Sequence, residues 1–143
     1  MRKMTSKTHG MIDFATSGMM MLLPRLLGQS KSSRRVLDSM AIIILGQSLC
    51  TNYEYGLAKF IPFKMHLMLD AVGGAGLIGC AVFNHQLDTD ESAVVAGFGA
   101  MVVMAAATTK PFSEIELTQR IPLGEVRGAD RLREKLEVVS GMI

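Results

Sequence analysis

The sequence is short of the features that usually announce a biochemical role. It has two cysteines in 143 residues, at positions 50 and 80. They form no C-x-x-C pair and no disulfide framework, and they read as small apolar side chains. Fifteen basic and thirteen acidic residues leave a net charge of only +2, so no basic excess calls for nucleic acid. No nucleophile–base pairing, phosphate-binding loop or dinucleotide fingerprint occurs, which leans the reading away from an enzyme. Charge is also missing locally. The windows 9–27, 36–53, 65–87 and 93–109 make up more than half of the chain, yet within them only Asp13, Arg25, Asp38 and Asp70 are charged. Every other charged side chain is crowded into the shorter remainder. A soluble domain spreads charge along every amphipathic element, so this segregation points to a lipid environment.

Each window is long enough to approach the roughly 20 apolar residues that span a bilayer. Window 93–109 (AVVAGFGAMVVMAAATT) has no charge and no polar stripe. Window 65–87 carries GGAGLIG, glycine-rich as membrane helices tolerate. Window 36–53 centres on MAIIILG and turns polar through Gln47, Ser48, Thr51 and Asn52. Window 9–27 is interrupted by Asp13 and Arg25; Pro24 is expected to kink or end the helix, with Arg25 snorkelling to the interface. Ser6 or Thr8 is expected to cap the first helix, Pro62 to open the third and Asp90 to cap the fourth. The expected fold is all-α: a four-helix transmembrane bundle over 1–110, followed by a polar cytoplasmic tail over 111–143 with a short helix at 130–139. The basic residues of both termini and loop 54–64 outnumber those of loop 28–35, which places both termini in the cytoplasm. Tyr53, Tyr55, Phe60 and Phe63 would then seat at that interface as an aromatic belt.

The most specific feature is an internal repeat. Lys7-Thr-His9-Gly-Met11-Ile-Asp13 recurs in the second half as Lys64-Met-His66-Leu-Met68-Leu-Asp70. The halves 1–57 and 58–114 are therefore tandem hairpins in the same orientation, related by an axis along the membrane normal. A histidine and an aspartate four positions apart share one helix face, about 6 Å apart along the axis. Thr16 and Ser17 extend that face in the first copy, Gly73 and Gly74 in the second, and Gln47, Thr51, Asn52, Thr108 and Thr109 are expected at matching depth.

His9, Asp13, His66 and Asp70 are thus the candidate polar site, and three readings compete. In the first, the carboxylates bond to their own histidines or to a facing helix and hold the hairpins in register. In the second, the four side chains bind a metal or haem, giving a redox or transport component. In the third they form a proton or ion path, which their shallow depth disfavours. Ala71, Ala75, Gly76 and Gly79 are read as a close-packing helix face, within the bundle or between two copies. The expected role is a non-enzymatic structural or partner-binding component, with no cofactor required and the lipid bilayer, a second copy or another membrane protein as partner.

The repeat segments THGMIDFATSGMMMLLPRLLG and PFKMHLMLDAVGGAGLIGCAVF, joined through NYEYGLAKFIPFKMH, resemble the SPW-repeat family of small prokaryotic membrane proteins over residues 5–110. Members look like two hairpins, each opening with a histidine and, a turn later, an aspartate. Leu23-Pro24-Arg25 and Ala81-Val82-Phe83 stand where the family has Ser-Pro-Trp. The resemblance implies a multi-pass protein of a bacterial or archaeal inner membrane, without an activity to carry over. A four-span DoxX-like protein is a more distant likeness, on size and layout.

Overall fold

The computed structural model describes residues 4–116 and contains four long helices: α1 (Ser6–Leu26), α2 (Lys31–Cys50), α3 (Phe63–Phe83) and α4 (Thr89–Thr108). Among the described residues there is no strand, so the all-α expectation holds. The tail helix expected at 130–139 lies outside the described residues. By length and composition α3 and α4 are apolar enough to cross a membrane. In α1 and α2 the charges Lys7, Asp13, Arg25, Lys31, Arg34, Arg35 and Asp38 dilute the apolar pattern.

Helix boundaries follow local chemistry, with two shifts from expectation. Thr5, rather than Ser6 or Thr8, caps α1 by accepting from Thr8 N at 3.2 Å. Asp88, rather than Asp90, caps α4: it accepts from Glu91 N at 2.8 Å while Glu91 reaches back to Asp88 N, a capping box. Both shifts reflect how several adjacent polar residues compete for one cap position. Pro62 does open α3 but offers no side-chain cap. The Phe63 amide bonds instead to Glu116 Oε1 at 2.8 Å, so residues 111–116 fold back onto the bundle rather than leaving it as a tail. Pro24 stays inside α1, which continues to Leu26 and ends where Gly28 takes φ 67°.

Helices α1 and α2 pack along their length, as do α3 and α4, giving the two expected hairpins. Within the second, Gly74 and Gly99 face each other so closely that an added Cβ on either would lie 2.7 or 2.6 Å from the other's carbonyl oxygen. The equivalent positions of the first hairpin are Ser17 and Ala41, both fully buried. Met20, Leu37, Met40, Ile44, Leu77, Val95, Phe98 and Val102 form the main core between the hairpins. The face Ala71, Ala75, Gly76 and Gly79 is not the one that packs inside the bundle: Ala75 and Gly76 are exposed, and nothing lies within 4 Å of a Cβ built on Gly76 or Gly79. Small residues recur there at helical spacing, but the adjacent stripe of Gly73 and Gly74 takes the contact because it faces Met40 and α4.

At one end the hairpins are strapped together twice. Met4, ahead of α1, pairs with the chain leaving α4 through Met4 N to Thr108 O (2.9 Å) and Lys110 N to Met4 O (3.0 Å). Ile61, ahead of α3, pairs with the chain leaving α2 through Ile61 N to Cys50 O (2.9 Å) and Asn52 N to Ile61 O (2.8 Å). These are the same strap in each half. Met4 and Ile61 stand as far apart in sequence as His9 and His66, whereas Thr51 and Thr109 stand one position further apart. The extra position falls in the turn 84–88 of the second hairpin, the counterpart of 27–30 in the first.

Candidate functional site: a buried histidine–aspartate centre

Just inside the strapped end, the first turns of α1 and α3 bring the two copies of the motif face to face. His9, His66, Asp13 and Asp70 are all buried, the histidines completely. One ligating atom from each lies within 4.8 Å of every other. His9 Nε2 is 3.0 Å from Asp70 Oδ2 and 3.4 Å from Asp13 Oδ1. His66 Nε2 is 3.0 Å from Asp13 Oδ2 and 3.2 Å from Asp70 Oδ2. Each histidine therefore bonds more closely to the aspartate of the other hairpin than to the one on its own helix.

The outer ring nitrogens are held by a second pair of duplicated residues. His9 Nδ1 is 2.9 Å from Thr109 Oγ1, and His66 Nδ1 is 3.1 Å from Thr51 Oγ1. Each threonine hydroxyl donates its own proton to a backbone carbonyl one turn back, Thr109 to Ala105 O and Thr51 to Gln47 O, both at 2.6 Å. With that proton committed, the hydroxyl can only accept, so both histidines carry a hydrogen on Nδ1, and with no cation present their Nε2 atoms bond the carboxylates only when a second proton lies between them. Both Nε2 atoms then point at the centre. The carboxylates are held as well: Ser48 Oγ donates to Asp13 Oδ2 at 3.0 Å, and the Gln47 amide donates to Asp70 Oδ1.

Aromatic rings close the site toward the strapped end. Phe63 stacks on His66 with centroids 5.7 Å apart, and Tyr53 stacks on both. Tyr53 and Phe63 are fully buried, so they form a wall of the centre instead of the interfacial belt expected of them; Phe60 alone of the four is well exposed. Burial pushes the Tyr53 phenol up to about 12, with Ser48 opposing and the two carboxylates adding to the rise. Gly10 makes room for this wall, since a Cβ there would run into the Tyr53 ring.

Of the polar residues expected at this depth, Gln47, Thr51 and Thr109 join the centre, and Ser48, not among those expected, joins them. Thr108 turns outward and bonds its own helix at Met104 O. Thr16 and Ser17 are buried deeper along α1, and the Ser17 hydroxyl has no hydrogen-bond partner. Arg25 does not simply snorkel. It forms a two-pronged ion pair with Asp38, both contacts at 2.8 Å, between the far ends of α1 and α2. Spacing alone gives no signal for that pair, because the residues lie on different helices and the second hairpin has no copy.

The ligating atoms of the centre all lie within 4.8 Å of one another, close enough to converge on one small ion. No family model, curated protein or solved structure matches the chain.

Proposed function

We propose that this protein is a four-span, non-enzymatic membrane component, of the SPW-repeat type by the motif residues quoted above, whose tandem hairpins are joined by the histidine–aspartate centre. One observation carries the reading: the polarity of the bundle is inverted. Four ionisable side chains are sealed inside, while apolar side chains face outward on every helix. Met11 on α1 is 60% exposed, Ile42 on α2 62%, Val72 on α3 70% and Met104 on α4 61%. In water, buried ionisable groups beneath an apolar shell would be unfavourable twice over. In lipid, ionisable groups belong in the bundle interior with partners, and apolar side chains belong outside. The apolar exterior of α1 and α2 supports spanning roles for them despite their lower hydropathy.

Basic residues at the strapped end support its placement in the cytoplasm, within an inner membrane. The exposed stripe of Ala75 and Gly76 on α3 is then a lipid-facing surface suited to a second copy or another membrane protein. Reporter fusions after residues 90 and 143 of the full chain test the arrangement. Periplasmic signal at the first and cytoplasmic signal at the second are expected; the reverse, or release of the protein from membranes by alkaline wash, contradicts it.

A further inference from the structure

The geometry points to a single divalent first-row transition metal ion, best matched by Zn2+, bound between the hairpins by His9 Nε2, His66 Nε2 and one carboxylate oxygen each from Asp13 and Asp70. This deepens the reading of the centre as the hairpin junction, and it rests on that junction alone, not on the number of spans.

Three observations converge on it. The first is shape. A tetrahedral ion with ligands at about 2.0–2.2 Å has ligand–ligand edges of about 3.3–3.6 Å. The four closest histidine–carboxylate separations run from 3.0 to 3.4 Å. Both histidines meet Asp70 through Oδ2, whereas Asp13 meets His9 through Oδ1 and His66 through Oδ2, so a turn of the Asp13 carboxylate that brings one oxygen inward seats the ion. Two separate hydrogen bonds would need only one carboxylate per histidine, because an N–H aims along one direction. Here each Nε2 lies within 3.4 Å of both carboxylates, so the four groups surround one point.

The second is the outer layer. Metal-bound histidine nearly always donates its other ring N–H to a fixed acceptor, which sets the tautomer and the ring plane. Thr109 and Thr51 do this for His9 and His66, and both have their hydroxyl protons tied to backbone carbonyls. Ser48 and Gln47 orient the carboxylates. All four ligands are thus backed by a hydrogen bond from outside the set.

The third is charge and donor type. Two buried aspartates carry two negative charges, which one divalent cation cancels within the cluster. Two imidazoles with two carboxylates suit borderline ions of the zinc class. Calcium and magnesium prefer all-oxygen sites, and copper(I) prefers sulfur, whereas Cys50 and Cys80 lie outside the cluster. Four protein ligands leave no open position, which marks a structural rather than a catalytic ion.

The test uses the full chain in detergent, stripped with chelator and titrated with Zn2+ and separately with Co2+. One ion per chain is expected, with the intense visible absorption of tetrahedral Co2+ and a higher melting temperature on loading. Thr109→Val and Thr51→Val keep the ligands and should weaken binding about 10–100-fold each. His66→Asn should abolish the Co2+ spectrum. Failure of the wild-type chain to bind either ion, or an unchanged spectrum in His66→Asn, overturns the inference. If no ion binds but Asp70→Asn still lowers the melting temperature of the stripped protein, the junction stands and the metal does not.

Discussion

His9 on α1 sits 3.0 Å from Asp70 on α3, nearer than the 3.4 Å to Asp13 on its own helix. The reciprocal pair, His66 with Asp13, is also at 3.0 Å. A motif repeated within one chain thereby forms an interface between its own copies. Each buried aspartate has its closest histidine in the other hairpin, so the duplicated motif ties the halves together.

Removing one member should strand the rest. Asp70→Ala or Asp13→Ala leaves an unbalanced buried cluster, and losing one partner of a buried pair costs about 3–5 kcal/mol. Thermal unfolding in detergent should show both variants well below the wild type. An unchanged melting temperature in either one contradicts the junction.

The threonine pair makes a quantitative symmetry prediction. Thr109→Val and Thr51→Val preserve shape but leave a histidine Nδ1–H buried with no acceptor, a cost of about 1–3 kcal/mol. Because both occupy the same place in their repeats, the two losses should be similar. A loss at one position with none at the other would show that the halves are not equivalent there.

Glycine substitutions in α3 should split sharply by face. Gly74→Ala drives a methyl to 2.7 Å from the Gly99 carbonyl, and overpacking of this kind costs about 1–3 kcal/mol. Gly76→Ala and Gly79→Ala meet open space and should be neutral or stabilising by up to about 1 kcal/mol through helix propensity. Ser17→Ala, which removes a buried hydroxyl with no partner, should also cost nothing. Melting temperatures of the four variants check the ordering, and a stable Gly74→Ala would refute the close crossing.

Glu116 supplies the cap that Pro62 cannot. Glu116→Ala should cost about 0.5–2 kcal/mol, the usual worth of an N-cap contact. Amide exchange at Phe63 should quicken at the same time; slow exchange there in the variant would show that the amide has another partner.

Much of this arrangement is legible in the residues. His9 and His66 stand out because the motif is duplicated, and the windows poor in charge locate all four helices. What escapes is set by three-dimensional choices between near neighbours. Thr108 and Thr109 are equally polar and adjacent, yet only helix rotation decides that Thr109 reaches His9. Ala75 and Gly76 look as ready to pack as Gly73 and Gly74, and the position of α4 selects between them. Tyr53 and Phe63 carry the composition of an interfacial belt, but the turn before α3 folds them inward over the histidines. The Arg25–Asp38 pair joins two helices whose relative register nothing in the pattern states. The slip in register between the two copies hides Thr51 and Thr109 as equivalents, since the longer turn of the second hairpin absorbs it far from the motif.

The central claim is that the hairpins are coupled through crossed histidine–aspartate pairs, and a double-mutant cycle reads it directly. His9→Ala and Asp70→Asn, alone and together, should give a coupling of about 0.5–3 kcal/mol in detergent unfolding. The cycle of His9→Ala with Asp13→Asn, along one helix, should give less. Additive losses for His9 and Asp70, or a stronger coupling within the helix than across the hairpins, would contradict the account.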